Sequence, residues 1–171
     1  MTDTRTSIER AVAATPGVHF NELVRDTAYA PGQVQYHVRD LVDAGALARE
    51  ELFGRTHYYP PEYDAFQRRV LALVRRETTR DVLLAALDDD SNRPGDVADR
   101  VGIARSTLEH HLANLEAAGI LEKERDSRGR VTLALARPQR TADLLETVEP
   151  SVSDKLVDRF TRLVDDLLAA D

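Results

Sequence analysis

Residues 31–47 read PGQVQYHVRDLVDAGAL, and residues 105–121 read RSTLEHHLANLEAAGIL. The two stretches lie 74 residues apart and carry one pattern. Val34 falls on Leu108, His37 on His111, Val38 on Leu112 and Leu41 on Leu115. Ala44-Gly45 falls on Ala118-Gly119, and Leu47 on Leu121. Apolar residues recur three and four apart, the period of a helix with one buried face. Gly45 and Gly119 stop these helices, because glycine enters the left-handed conformation that ends a helix. Pro31 suits a first helical turn, where its missing N–H costs nothing. Ser106 is expected to cap the other helix.

The match extends outward without a gap, from Ser7–Phe53 onto Asp81–Ser127. Ile8 falls on Val82, Ala11 on Ala85 and Leu23 on Val97. The chain therefore reads as two copies of one small domain, not as a solenoid, which needs more copies. Each copy has a first helix, about Ser7–Ala14 and Asp81–Leu87. A Pro/Gly break follows, then a short second helix, about Asn21–Thr27 and Gly95–Val101. A three-residue turn, Ala28-Tyr29-Ala30 or Gly102-Ile103-Ala104, leads into the third helix, Pro31–Ala44 or Arg105–Ala118. Hairpin patterns close both copies. In the first, Leu47–Phe53 and Thr56–Pro60 flank Gly54-Arg55, which suits a type II′ turn. In the second, Leu121–Arg125 and the alternating Val131, Leu133 and Leu135 flank Asp126-Ser127-Arg128-Gly129.

Helix, helix, turn, helix and a two-stranded wing make a winged helix-turn-helix. The expected fold is mainly α with small β-hairpin wings, an α+β layout of two such domains in tandem. Residues 1–60 form the first domain and 80–138 the second. Residues 61–79 read as a linker helix within Pro61–Thr78, with Phe66, Val70, Leu73 and Val74 on one side. Residues 139–171 read as a C-terminal helical segment.

These residues carry a family resemblance. Ser106-Thr107-Leu108-Glu109-His110-His111-Leu112, with Leu115 and Ala118-Gly119-Ile120-Leu121, resembles the recognition-helix signature of ArsR/MarR-like winged-helix transcriptional regulators. Pro31-Gly32-Gln33-Val34-Gln35-Tyr36-His37-Val38, with Leu41 and Ala44-Gly45, resembles it too. The lead-in Pro16-Gly17-Val18-His19-Phe20-Asn21-Glu22-Leu23 is similar to archaeal members. The resemblance implies DNA binding, and pairing of two chains through terminal helices. It implies no particular ligand or target gene, and fold alone does not settle function.

With Val34, Val38 and Leu41 turned inward, the opposite face of the first recognition helix holds Gly32, Gln35, Tyr36, Arg39 and Asp43. Gln35 could read adenine and Arg39 guanine in the major groove, and Tyr36 could reach a phosphate or a thymine methyl. Gln33 joins this set. The second helix offers Arg105, Ser106, Thr107 and His110, and also Glu109, which can accept from cytosine but repels phosphate. The wings offer Arg55 and His57 in the first copy, and Arg125, Arg128 and Arg130 in the second. All of these could equally be solvated charge. His37 and His111 sit on the flank and read as partly buried rings tying helix to wing.

Composition bounds the partners. The chain has 171 residues, no cysteine and a net charge of −7. Disulfides and thiolate chemistry are excluded. Of 23 basic residues only Lys123 and Lys155 are lysine, and 18 of 30 acidic residues are Asp. Such a surface resembles proteins of salt-loving archaea, although a high-GC genome also favours Arg over Lys. In a high-salt cytoplasm, net acidity counts less against nucleic-acid binding than it otherwise does. No apolar run reaches the roughly 20 residues of a membrane span, and Met1–Arg10 lacks a signal-peptide pattern, so a cytoplasmic protein is expected. The five histidines, His19, His37, His57, His110 and His111, lack metal-ligand spacing. No Walker loop, GxGxxG or GxSxG motif occurs. No catalytic residue, metal or cofactor is expected.

The expected function is sequence-specific transcriptional regulation by promoter occupancy, with double-stranded DNA as partner. The alternative is a non-enzymatic winged-helix adaptor in a chromosome-segregation or transcription-initiation complex. Near the C-terminus, Val152, Leu156, Phe160, Leu163 and Leu167 form one apolar seam. It would cover either the linker helix or a second copy of the chain, and a homodimer is the expected outcome.

Overall fold

The computed structural model describes residues 3–87 and 92–148. The first copy opens with α1 (Thr4–Ala14), which buries Ile8 and Val12 one turn apart. Gly17, at φ 85°, turns the chain into a short strand, β1 (Val18–His19). Next come α2 (Phe20–Thr27) and α3 (Pro31–Asp43), with Pro31 as the first residue of α3. A hairpin follows, β2 (Ala48–Leu52) and β3 (Arg55–Tyr59). β3 is central in the antiparallel sheet order β1-β3-β2. Ile8, Val12, Val18, Leu23, Val34, Val38, Leu41, Leu47 and Tyr58 form one core. Each large apolar side chain buried there contributes about 1.5–3 kcal/mol relative to exposure.

α4 (Ala65–Val74) reaches this sheet through Arg68, at Tyr59 of β3 and Glu50 of β2. A reciprocal cap starts that helix: the Asp64 backbone N–H donates to Gln67 Oε1 at 2.8 Å, and the Gln67 N–H donates to Asp64 Oδ1 at 2.9 Å. Tyr59 is fully buried, and its hydroxyl donates to the Arg68 carbonyl at 2.7 Å. Arg68 lies 5.9 Å from the Tyr59 ring centroid and reaches Glu50 at 3.3 Å.

The second copy repeats the plan with α5 (Glu77–Ala86), α6 (Pro94–Val101), α7 (Arg105–Ala117), β4 (Leu121–Arg125) and β5 (Val131–Leu135), followed by α8 (Pro138–Val148). α5, α6 and α7 pack on one another, α7 on β4 and α6 on β5. Val82, Val97, Leu108, Leu112, Leu115, Ile120, Leu121 and Leu133 are buried. All but Leu133, which lies past the matched stretch, stand on the positions matched in the first copy. Contacts divide the chain into two units, Met1–Ala72 and Leu73–Asp171. Each carries a winged helix-turn-helix domain.

Several local expectations change. Residues Pro61–Thr78 hold two helices rather than one, since α5 already starts at Glu77. The short strand β1 is additional. Its pairing with β3 closes the first sheet, whereas the second sheet has two strands and one extra bond, Leu133 N–H to the Asn92 carbonyl at 2.8 Å. The first wing turn is centred on Phe53 and Gly54, both at positive φ, 50° and 79°. Leu52 pairs with Arg55 across it. Two left-handed central residues match type I′ rather than II′. Ser106 does not cap α7. The N-cap residue is Ala104, with no side-chain cap, as Ala30 is for α3.

Gly45 and Gly119 end α3 and α7, both at φ 72°. The turn between second and third helices differs between copies. Ala28 and Gly102 occupy the same place at φ 56° and 76°. An L-residue there costs about 1–2 kcal/mol. Ala28→Gly, offset by the greater freedom of glycine in the unfolded chain, is expected to stabilise the first domain by about 0.5–1 kcal/mol. The midpoint of thermal unfolding checks this, and an unchanged or lowered midpoint contradicts it.

Candidate nucleic-acid interface

In the first domain, α3 is anchored by Val34, Val38 and Leu41, so Gln33, Gln35, Tyr36 and Arg39 stand exposed. Tyr36 is 70% exposed, and its ring meets His37 edge to face at 5.1 Å. Gln35 and Arg39 line a groove of about 480 Å³ between α3 and the sheet. Across it lie Arg49 of β2, Thr56 and Tyr58 of β3, and Phe20 of α2. A second hollow, about 450 Å³, is lined by His19, Phe20, Asn21, Arg55 and Thr56. Phe20 and Thr56 line both, so the two adjoin.

Charge in this domain is sorted by pairing. Asp40 is taken by Arg5 at 2.8 Å and Glu50 by Arg68 at 3.3 Å. Arg39, Arg49 and Arg55 have no ion pair among the described residues. Asp43 is the carboxylate that lines the groove. His57 is not at the wing tip. It is 2% exposed, and its Nδ1–H donates to the Gly17 carbonyl at 2.7 Å, so it anchors β3.

In the second domain, Arg105, Ser106, Thr107 and His110 are exposed on α7. Glu109 is engaged. Lys123 Nζ of β4 donates to its Oε2 at 2.9 Å, and Arg105 Nε lies 3.7 Å from its Oε1. Lys123 also lies 3.7 Å from Glu116. The Lys123 hydrogen bond, against a smaller burial penalty, holds the Glu109 carboxyl below its usual range. The same bond holds the Lys123 ammonium above its own.

The second wing turn is organised by Asp126. Its Oδ1 accepts the backbone N–H groups of Arg128 and Arg130, both at 2.9 Å, and its Oδ2 accepts Arg130 Nε at 2.7 Å. Arg125 donates to the Gly129 carbonyl at 2.9 Å. The Arg128 side chain has no partner among the described residues.

His111 ties α7 to α5 rather than to the wing, through Nδ1 and Thr79 Oγ1 at 3.0 Å. Burial, then the nearby His110 and Arg76 charges, holds its pKa below the ordinary histidine value. The fold therefore prefers the neutral ring. That contribution is present above the unfolded value of about 6.5 and is lost as pH falls through it toward the folded value. Going from about pH 7.5 to about pH 5.5 should lower the denaturation midpoint of the second domain, and His111→Gln should shrink that shift. Equal shifts in both proteins would remove His111 as the cause.

Arg49, Phe20, Thr56 and Tyr58 are among the groove residues that escaped the sequence reading. The repeat itself held the signal for Arg49, because a shift of 74 residues places it on Lys123 and Gln35 on Glu109. The seam residues Val152, Leu156, Phe160, Leu163 and Leu167 lie outside the described residues. Among the described residues, no helix is long and apolar enough to cross a membrane.

Comparison with known proteins agrees with this architecture. Residues 2–71 match a family model described as an N-terminal HTH domain, and residues 75–122 match one described as winged helix-turn-helix DNA-binding. No curated protein matches the chain. Among solved structures, the transcriptional regulator Tm0710 from Thermotoga maritima is similar at 18% identity and TM-score 0.37, over 61% of this chain and 71% of that one. The mRNA-binding domain of elongation factor SelB from E. coli, in complex with SECIS RNA, is similar at 15% identity and TM-score 0.30. That match covers 78% of this chain and 98% of that one. The chain is a tandem winged helix-turn-helix protein, and its second domain matches a model of the DNA-binding kind.

Proposed function

We propose that the chain is a sequence-specific transcriptional regulator of the ArsR/MarR-like kind, acting by occupancy of promoter DNA and without covalent chemistry. The observation that carries this reading is the first domain's groove. A recognition helix presents Gln35 and Arg39 opposite Arg49, with Asp43 as the one carboxylate of the lining and with Asp40 and Glu50 paired elsewhere. Gln and Arg are the side chains that pair bidentately with adenine and guanine edges. Unpaired arginines on a wing suit phosphate.

The acidic total does not oppose this, because local charge near the duplex governs contact. The Arg- and Asp-rich composition supports a cytoplasm of high salt, and the C-terminal seam supports a homodimer on two-fold sites. The matched domain models do not favour the adaptor alternative. Genome-wide crosslinking of the tagged protein at native salt tests the reading. Sharp peaks at promoters support it, and a flat profile overturns it.

A further inference from the structure

The two domains differ at the same two positions. In the first, Gln35 and Arg49 line the groove, and Arg49 has no ion pair among the described residues. In the second, the matched residues Glu109 and Lys123 are joined at 2.9 Å. Arg39 has Ala113 as its counterpart, so the second helix also lacks the long cation one turn further on. Charge counts would point the other way. Residues 31–59 hold three basic and four acidic side chains, and residues 105–135 hold five of each. What separates the domains is pairing. The first spends two of its four acids, Asp40 and Glu50, on Arg5 and Arg68, which lie outside the recognition helix and wing, and Asp43 stays in the groove without engaging Gln35 or Arg49. The second ties Lys123 and Arg105 to Glu109, and Arg130 to Asp126.

Resting on the regulator reading, we propose that base readout belongs to the first domain alone, through Gln35, Arg39 and Arg49, and that the Glu109–Lys123 pair closes the second recognition helix to DNA. A duplex brought to α7 meets a carboxylate whose proton affinity is lowered by its partner. It would therefore meet a charged group next to phosphate, or have to break the pair. Arg125 and Arg128 remain at the second wing for contact with the backbone, which carries no sequence information. The second domain thus adds grip without reading.

Selection from a random duplex library, with the full chain and its variants, tests this. The wild type should enrich one motif. Arg39→Ala and Arg49→Ala should each degrade that motif. A chain carrying Ser106→Ala, Thr107→Ala and His110→Ala, all at exposed positions, should return it unchanged. Glu109→Gln breaks the pair and gives α7 the glutamine of matched position 35, so it should tighten binding about fivefold, the equilibrium equivalent of one exposed charge pair, and extend the enriched motif. A motif altered by the triple α7 variant overturns readout by the first domain alone, and a Glu109→Gln chain that binds no tighter and returns the wild-type motif overturns the closing role of the pair, while the regulator reading stands in both cases. A wild type that enriches no sequence overturns both.

Discussion

Tyr59→Ala is expected to destabilise the first domain by about 3–5 kcal/mol, the range for removing a large buried aromatic. The ring is fully buried, its hydroxyl satisfies the Arg68 carbonyl, and Arg68 lies near it while holding Glu50. The substitution opens a cavity between β3 and α4, and loosens the strand that carries Thr56 and Tyr58 to the groove. Tyr59→Phe keeps the volume and removes one hydrogen bond to a carbonyl that α4 itself still engages, so about 0.5–1.5 kcal/mol is expected. The chain supplies its own probe. It has no tryptophan, and its five tyrosines all lie in Met1–Ala72, so tyrosine fluorescence during urea unfolding reports the first domain. A Tyr59→Ala midpoint within error of the wild type would show that α4 does not brace the sheet.

The double variant Gln35→Ala, Arg39→Ala is expected to lose about 2–5 kcal/mol of affinity for the best duplex site, at about 1–3 kcal/mol for each base contact. Binding to unrelated DNA should change little, so specificity falls with affinity. Both side chains are exposed on α3, and neither contributes to the core, so folding should be unaffected. Titrations on specific and scrambled duplexes, at several salt concentrations, separate the two terms. A parallel loss on both duplexes would assign these residues to phosphate rather than to bases.

The fold was legible because the chain states it twice. Val34 with Leu108 and Leu41 with Leu115 are buried pairs that the 74-residue match already paired. Helical periodicity, the Pro31 start and the glycine stops then placed α3 and α7 within a residue of their observed ends. β1 was hidden for a physical reason: two residues are too few to show alternation, and its pairing with β3 is a long-range property. The I′ turn was hidden because Phe53 gives no sign of accepting a positive φ. On the candidate interface, helical geometry found Gln35, Tyr36 and Arg39. It could not find Arg49, which reaches the groove from a strand, nor foresee that Lys123 would hold Glu109. Pairing among exposed charges depends on which side chains the fold brings within reach, and no single-helix pattern contains that.

The left-handed glycines that end α3 and α7 raise a question of handedness rather than of room. Nothing lies within 4 Å of the place where a β-carbon would sit on Gly45 or Gly119. The space is there, and only the mirror-image backbone angle keeps an L-side chain out. A D-alanine, introduced by chemical ligation at either position, meets that angle at ease and still removes the freedom a glycine has in the unfolded chain. The same methyl group is therefore a burden in one enantiomer and a reinforcement in the other. Both α3 and α7 can be stiffened at their ends in this way without touching a residue of the candidate interface.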